Sequence, residues 1–170
     1  ITLRGKLKVK NKPKINILDG SSLIIGDNVT LNSKNSKYHI NMFAPIKIYI
    51  DKIGAKISIG NNTRIHGSCL HAYKSIEIGA NCLIAANCQI FDGSGHDTLL
   101  NDPSKRIMTH GTIKPIVIGN NCWIGTSSVI LPGTILGNNC VVMAGSIVNG
   151  EFQDNSLIGG NPAKFIKLVK

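Results

Sequence analysis

The segment Phe91-Asp-Gly-Ser-Gly-His-Asp97 is the part of this 170-residue chain best suited to acid–base chemistry. It places His96 in a polar stretch between two carboxylates. An imidazole with a pKa near 6.5 can remove a proton from a hydroxyl group at neutral pH, and such a base accelerates a reaction by about 10²- to 10⁴-fold. Asp92 or Asp97 could orient the ring by accepting its other proton, and a backbone carbonyl could do so instead. The sequence leaves these three choices open.

The other histidines suggest less. His39 and His66 are expected at the surface, and His110 follows His96 in the same polar segment and could reach a site there. The histidines are too scattered to form a zinc or calcium motif, so no metal site is predicted. There is also no GxxxxGK loop that could cradle a phosphate.

His71 is a stronger candidate because of the repeat described next, in which one coil is about 18 residues long. That spacing places the segment from His71 to Lys74 directly beneath Phe91 and Asp92. We therefore predict that Asp92, His71 and Tyr73 contact a substrate. A plain corner of the fold is the alternative for this segment.

A six-residue repeat supplies the elements that position these residues. Every sixth residue is aliphatic along a ladder, and a small residue comes four positions after each of its first five members. Because six is even, extended residues at i and i+6 can face the same side if the chain turns between them. Glycine and asparagine fill the intervening corners, where positive φ angles cost least. Three strands and three corners make a triangular coil of about 18 residues, which predicts a β-helix. The ladder consists of Ile118, Ile124, Ile130, Leu136, Val142 and Val148.

The same ladder recurs earlier but is interrupted twice. It contains Ile53, Ile59 and Ile65, then Ile78, Ile84 and Ile90, with weaker matches at Ile25 and Leu31. One interruption is a one-residue slip between His71 and Glu77. The other is the stretch from Ile90 to Ile118, which is not a multiple of six and predicts an extruded active-site loop at 91–117. We expect a single domain over 1–170, with basic N-terminal coils at 1–52 and a short C-terminal tail at 151–170.

Composition agrees with one globular domain. The chain is 42% hydrophobic and 16% charged, which is enough for one core, and no stretch approaches the roughly 18 apolar residues of a membrane span. The odd number of cysteines, without a CxxC pair, favours reduced thiols in a cytoplasmic protein. Each cysteine lies four residues after a ladder aliphatic, so all five are predicted to face the core: Cys69, Cys82, Cys88, Cys122 and Cys140.

The net charge of +10 is concentrated at the N-terminal end. Residues 1–56 hold 11 of the 19 Lys and Arg and three acids, so they carry +8. Lysines alternate with other residues from Lys6 to Lys14, as on the solvated face of an opening strand. With 5% aromatic residues, nucleic-acid binding is not expected. An anionic glycan, a peripheral membrane contact or an enzyme partner is the alternative to a simple solvated edge.

The repeats around Ile118-Gly-Asn-Asn-Cys-Trp-Ile-Gly and the later Gly159-Gly-Asn-Pro-Ala-Lys resemble the hexapeptide-repeat acyltransferases. The similarity covers about residues 53–170 and is greatest to the maltose, galactoside and polysaccharide O-acetyltransferases. It implies an all-β, left-handed parallel β-helix, a homotrimer, and acetyl-CoA bound between neighbouring subunits. It also implies that His96 is the catalytic base.

The resemblance further implies a set of cofactor-binding residues. Thr126 and Ala144 are one coil apart, which suits a pantetheine chain running along the column, and an amide near Thr126 would stabilise the oxyanion. Lys164 and Lys167 would meet the CoA phosphates, although the relatives tend to have arginine at both positions, so bidentate geometry is lost. Trp123 is expected to pack near the cofactor cleft. The cofactor set is Thr126, Ala144, Asn149, Lys164 and Lys167.

These observations favour an acetyl-CoA-dependent O-acetyltransferase acting on a carbohydrate hydroxyl, in surface polysaccharide biosynthesis. Transfer would be direct, without an acyl-enzyme. N-acetylation of an amino sugar or O-acetylation of an antibiotic would keep the same chemistry with another acceptor. A non-catalytic trimeric β-helix platform is the alternative outside enzymology. The basic N-terminal third is where acceptor choice is expected.

Overall fold

The computed structural model describes residues 1–36, 38–99 and 101–169 of the chain. Short strands pass in turn through three sheets, so that each sheet is one face of a triangular column. All the strand pairs are parallel except the last pair of the second sheet. The hexapeptide ladder therefore builds the parallel β-helix that the repeat predicted.

The strand bounds are grouped by face. The first sheet contains β1 (Thr2–Leu3), β4 (Ser22–Ile25), β7 (Lys56–Ile59), β10 (Ser75–Ile78), β13 (Ile116–Ile118), β16 (Ile135–Leu136) and β19 (Glu151–Phe152). The second contains β2 (Leu7–Lys10), β5 (Val29–Asn32), β8 (Arg64–His66), β11 (Leu83–Ile84), β14 (Trp123–Ile124), β17 (Val141–Val142), β20 (Ser156–Gly160) and β21 (Ala163–Leu168). The third contains β3 (Lys14–Ile17), β6 (Lys47–Ile50), β9 (Cys69–Ala72), β12 (Gln89–Phe91), β15 (Val129–Ile130) and β18 (Ile147–Val148).

The register confirms the 18-residue coil in the C-terminal half of the column. Val117 pairs with Ile135, and Val129 pairs with Ile147, each 18 residues further on. The ladder residues from Ile118 to Val148 are buried in one continuous core.

A column of asparagine side chains fastens one corner of the coils. Six asparagines have φ between 54° and 62° and form a ladder in which each Nδ2 donates to the next Oδ1. The distances between donor and acceptor are 2.9 to 3.2 Å. Asparagine suits this corner because it tolerates the left-handed conformation and bonds to the next coil. The ladder consists of Asn28, Asn62, Asn81, Asn121, Asn139 and Asn155.

The predicted ladder fails at Ile53, which is 82% exposed. The core positions of this region are Ile48 and Ile50 of β6 and then Ala55, Ile57 and Ile59, so the chain leaves the six-residue step between the two groups. The weaker matches at Ile25 and Leu31 are correct, since both are buried.

The predicted inward position of Cys69 is also wrong, because this residue is only half-buried. From Ile65 the next core residue in the stack is Leu70, five residues on, so Ser68 takes the inward place and Cys69 points outward. From Leu70 the following ladder position is Ile78, eight residues on. The expected one-residue slip is therefore the net result of one short and one long step. The other four cysteines are buried as predicted.

The ends of the chain are more regular than expected. Residues 1–36 and 38–52 form the first coils of the same column, interrupted by a second extruded loop that sequence reasoning missed. The described residues of this loop are 33–36 and 38–45, and it is called the loop at 33–45. The segment 151–170 is not a simple tail: β19 and β20 continue the column, and β21 folds back antiparallel to β20. The described residues of the main extruded loop are 92–99 and 101–115, against the predicted 91–117.

Candidate active site

The main extruded loop is a closed hairpin-like excursion that carries His96. It leaves the third sheet after β12 and returns at β13 of the first sheet. A bridge between Gly93 and Ile113 and the bond from Ser94 N to Thr112 O (3.3 Å) close its base. Its far end is a 3₁₀ helix at Pro103–Met108.

A backbone carbonyl orients His96. The side chain is exposed, and its Nδ1 lies 3.1 Å from the carbonyl oxygen of Arg106. A carbonyl can only accept, so Nδ1 carries the proton, and in the neutral ring Nε2 keeps its lone pair. Arg106 is held in turn by Asp97 O, 3.1 Å from its Nε, and Leu99 O, 3.3 Å from its Nη2. Sequence reasoning allowed a carbonyl in this role but did not identify Arg106.

Neither neighbouring aspartate orients His96. The Asp97 carboxylate accepts from the backbone amide of Thr98 at 2.7 Å. Asp92 is fully buried, and its carboxylate accepts from the amides of Tyr73, Lys74 and Ser75 at 2.6 to 2.7 Å. Both of its oxygens therefore face the corner of the coil beneath, and the contact between Asp92 and a substrate stays a prediction.

His71 lies beneath Phe91, as the coil spacing predicted, and its surroundings are packed. Its ring sits between Tyr49 and Tyr73, at centroid distances of 4.7 and 4.3 Å. Its Nε2 is 3.2 Å from Asp51 Oδ1, an ion-pair distance without hydrogen-bond geometry, and both atoms are buried. Burial raises the pKa of Tyr73. The structure thus places His71 and Tyr73 next to the loop that carries His96, as part of its support.

A groove of about 1300 Å³ runs along the second sheet and contains the first part of the predicted cofactor set. Thr126 and Ala144 line it, and Trp123, which is 53% exposed, forms part of its wall. The Thr126 hydroxyl donates to Ala86 O at 2.7 Å. The Thr126 amide donates no hydrogen bond to any of residues 1–36, 38–99 and 101–169. The groove crosses seven strands, from β2 to β20, and at about 4.8 Å between strands it is about 29 Å long.

The rest of the predicted cofactor set lies outside the lining of the groove. Lys164 and Lys167 are exposed on β21, and Lys167 is in register with Leu157, which lines the C-terminal end of the groove. Asn149 is exposed just after β18, on the third sheet. The two lysines therefore lie beside the end of the groove, and Asn149 does not.

His66 is buried, contrary to the prediction that it lies at the surface. It points out of the second sheet as expected, but the loop at 33–45 covers it, and the ring of Tyr38 stacks on it at 4.7 Å. Only 8% of His66 is exposed, and burial lowers its pKa to about 4. His39 is exposed as predicted, and His110 lies 3.4 Å from Lys52 Nζ, with no described contact to His96.

One chain does not bring His96 to the groove. The loop of His96 leaves the corner between the third and first sheets, whereas Thr126 and Ala144 follow strands of the second sheet. His96 is not among the residues that line the groove. The described residues also contain no cluster of histidine, cysteine or acidic side chains that could hold a metal ion. None of them forms a helix with the length and apolar character needed to span a bilayer.

Comparison with known proteins identifies the family. The model described as hexapeptide repeat of succinyl-transferase matches residues 56–91 and 115–149. The putative lipopolysaccharide biosynthesis O-acetyl transferase WbbJ of Escherichia coli is 31% identical over 147 residues, which is 80% of this chain and 73% of that protein. The chain belongs to the hexapeptide-repeat acyltransferase family. The predicted left-handed parallel β-helix, the fold of this family, is thereby confirmed.

Two solved structures extend the comparison. A galactoside acetyltransferase in complex with coenzyme A is 33% identical to this hexapeptide-repeat chain, with a TM-score of 0.64, over 72% of this chain and 60% of that one. The second structure is a variant of AntD, an N-acyltransferase from Bacillus cereus, in complex with dTDP and coenzyme A. It superposes with a TM-score of 0.76 over 99% of this chain and 83% of the AntD chain. At 19% identity this second likeness shows only the fold, including the N-terminal coils. Together the repeats and relatives identify an acetyltransferase of the hexapeptide-repeat family.

Proposed function

We propose that the chain transfers the acetyl group of acetyl-CoA to a hydroxyl of a carbohydrate acceptor, with His96 as the general base. The observation that carries this proposal is the contact between His96 Nδ1 and the Arg106 carbonyl, which leaves Nε2 unprotonated and exposed. A base must present a lone pair to the proton that it removes, and this tautomer of the neutral ring presents one at Nε2. The similarity to WbbJ, a putative lipopolysaccharide biosynthesis O-acetyl transferase, and to a galactoside acetyltransferase supports a sugar acceptor in surface polysaccharide synthesis.

The groove has the chemistry needed for the donor. Acetyl-CoA supplies an activated thioester when it is bound. The walls at Trp123 and Leu83 are apolar and suit the pantetheine chain, while Lys164 and Lys167 at the far end suit its phosphates. The unpartnered amide of Thr126 would donate to the thioester oxygen as negative charge develops there. Asn149 remains a predicted contact to the cofactor.

The proton follows one path in this scheme. His96 Nε2 takes the proton of the acceptor hydroxyl as its oxygen attacks the thioester carbon. The imidazolium keeps its bond to the Arg106 carbonyl and then returns the proton to the departing CoA sulfur. Transfer is direct within a ternary complex, so no residue of the chain becomes acetylated.

The separation of His96 from the groove supports a homotrimer with sites between chains. A β-helix column has flat faces, and packing such faces around a threefold axis can bring the loop of one chain to the groove of the next. Ile107 and Met108, at the end of the His96 loop, are highly exposed apolar residues that such packing would cover. The five free cysteines suit the reducing cytoplasm, where we place the reaction.

The experiment is thiol release from acetyl-CoA with a panel of mono- and oligosaccharides, for wild type, His96→Ala and the matched loop control His110→Ala. We expect His96→Ala to lose at least about 10²-fold in kcat while its CoA affinity, measured by calorimetry, is unchanged. His110→Ala should stay within about twofold of wild type. Equal activity of wild type and His96→Ala would exclude His96 as the base. Lability of the acetylated product to mild base separates an ester from the amide that N-acetylation would give.

A further inference from the structure

The N-terminal end of the groove is cationic. Lys10, Lys34 and Arg64 line it with His39, and no aspartate or glutamate lines any part of the groove among the described residues. The lining of the other end is apolar, so the charged residues of the lining all lie at the end next to the loop at 33–45. An anion entering this end meets several cations in a partly enclosed space, where charge-assisted hydrogen bonds are strongest.

A neutral hydrogen-bond donor forms the floor of this end. The Asn32 side chain accepts from the Lys34 amide through Oδ1 at 3.0 Å, so its Nδ2 must be the atom 3.1 Å from His66 Nδ1. An amide nitrogen only donates, and Nδ1 is therefore the acceptor and Nε2 carries the proton. Because burial holds the pKa of His66 far below neutrality, the ring offers an N–H without charge. The face of Tyr38 stacks beside it.

The loop at 33–45 is fixed in place by side-chain bonds. The Ile46 amide donates to Ser33 Oγ at 3.0 Å, and the Met42 amide donates to Asn35 Oδ1 at 2.9 Å. Asn87, from the corner of another coil, accepts from the Phe43 amide at 3.0 Å and donates to a loop carbonyl at 2.8 Å. This end of the groove is thus preformed, which lowers the entropy cost of binding a ligand there.

The two ends of the groove suit different ligands. Lys164 and Lys167 lie beside its C-terminal end, so CoA phosphates bound there would direct the thioester towards Tyr38, His66 and Arg64. We propose that this cationic end is the acceptor subsite and that it selects a carbohydrate bearing a carboxylate or phosphate group. Arg64 makes the charged contact, His66 donates through Nε2, and Tyr38 packs on the sugar ring. This inference rests on the proposed acetyltransferase function and specifies its substrate class.

The test uses acceptors matched in shape and different in charge. One arm compares an oligogalacturonate with its methyl ester, and the other compares galactose 1-phosphate with galactose, so that a carboxylate is distinguished from a phosphate. Binding is measured by calorimetry without donor, and kcat/KM is measured with acetyl-CoA. The proteins are wild type, Arg64→Gln, Lys34→Gln and the control Arg4→Gln, whose exposed arginine lies outside the groove.

We expect at least one charged acceptor to bind about 10-fold tighter than its neutral partner. Arg64→Gln should remove most of that difference in both binding and kcat/KM, Lys34→Gln should reduce it, and Arg4→Gln should keep it. Equal binding of the charged and neutral members in both arms overturns the subsite, as does an Arg64→Gln variant that retains the full preference. Tight, Arg64-dependent binding of an anionic sugar without any thiol release would instead refute acetyl transfer, so the two failures are distinguishable.

Discussion

Replacing Asp92 tests whether this aspartate builds the active site or touches substrate. The buried carboxylate accepts three backbone hydrogen bonds at 2.6 to 2.7 Å, from the corner beneath the His96 loop. Hydrogen bonds to a charged group contribute about 1.5 to 3 kcal/mol each, and Asp92→Ala leaves three donors without a partner, so we expect a loss of about 4 kcal/mol in the free energy of unfolding. In Asp92→Asn the amide oxygen can keep the two bonds made by Oδ2, and we expect a loss of about 2 kcal/mol.

Guanidinium unfolding followed by circular dichroism measures both variants. The matched control is Asp97→Asn, which sits on the same loop and accepts one exposed bond from Thr98, so its stability should change by less than about 0.5 kcal/mol. Activity should fall with stability, because the corner supports the loop. If Asp92→Asn raised the KM for acceptor at unchanged stability, the reasoning would be refuted and Asp92 would be a substrate contact.

Two further predictions concern the asparagine ladder and His66. Asn121→Ala should lower the free energy of unfolding by about 2 to 3 kcal/mol, because it breaks two bonds of the asparagine ladder and puts alanine at a φ of 59°. Asn121→Gly should lower it by about 1 kcal/mol less, because glycine adopts this φ without strain. Urea unfolding that finds the two variants equally unstable would contradict this. The pKa of His66 is about 4 in the folded protein, below the unfolded value of 6.5. The contribution of the neutral ring to the free energy of unfolding is therefore present above pH 6.5 and is lost as the pH falls towards 4. His66→Gln should therefore remove about 3 kcal/mol of the difference in unfolding free energy between pH 7 and pH 4. If the unfolding free energy of His66→Gln depended on pH as steeply as that of wild type, groups other than His66 would cause the dependence.

The repeat predicted the column wherever the coils have equal length. From Ile118 to Val148 each step is six residues, so the inward positions could be counted directly. Counting failed at Ile53 and Cys69, because corners there are longer or shorter than the repeat.

The sequence did not reveal the surroundings of His66, Asp92 and Arg106, and the reason there is different. His66 does point away from the core, as its place in the repeat required, but a loop that has no periodic pattern folds over it. Asp92 and Arg106 are joined to the site through backbone groups, which leave no mark on residue type or spacing. His96 could be identified as a candidate base because its side chain has chemistry of its own and the ladder breaks beside it, and that role stays a prediction.

The measurement that tests the central claim most directly is subunit complementation. His96→Ala lacks the base, and Ala144→Trp fills the groove, so each homotrimer should be inactive in thiol release with a good acceptor. If His96 of one chain serves the groove of the next, random mixed trimers made from equal amounts of the two chains have both parts intact at about one quarter of their sites. The account predicts recovery of about a quarter of the wild-type rate. A mixture no more active than its two parents would contradict a catalytic site assembled from His96 and the groove of a neighbouring chain.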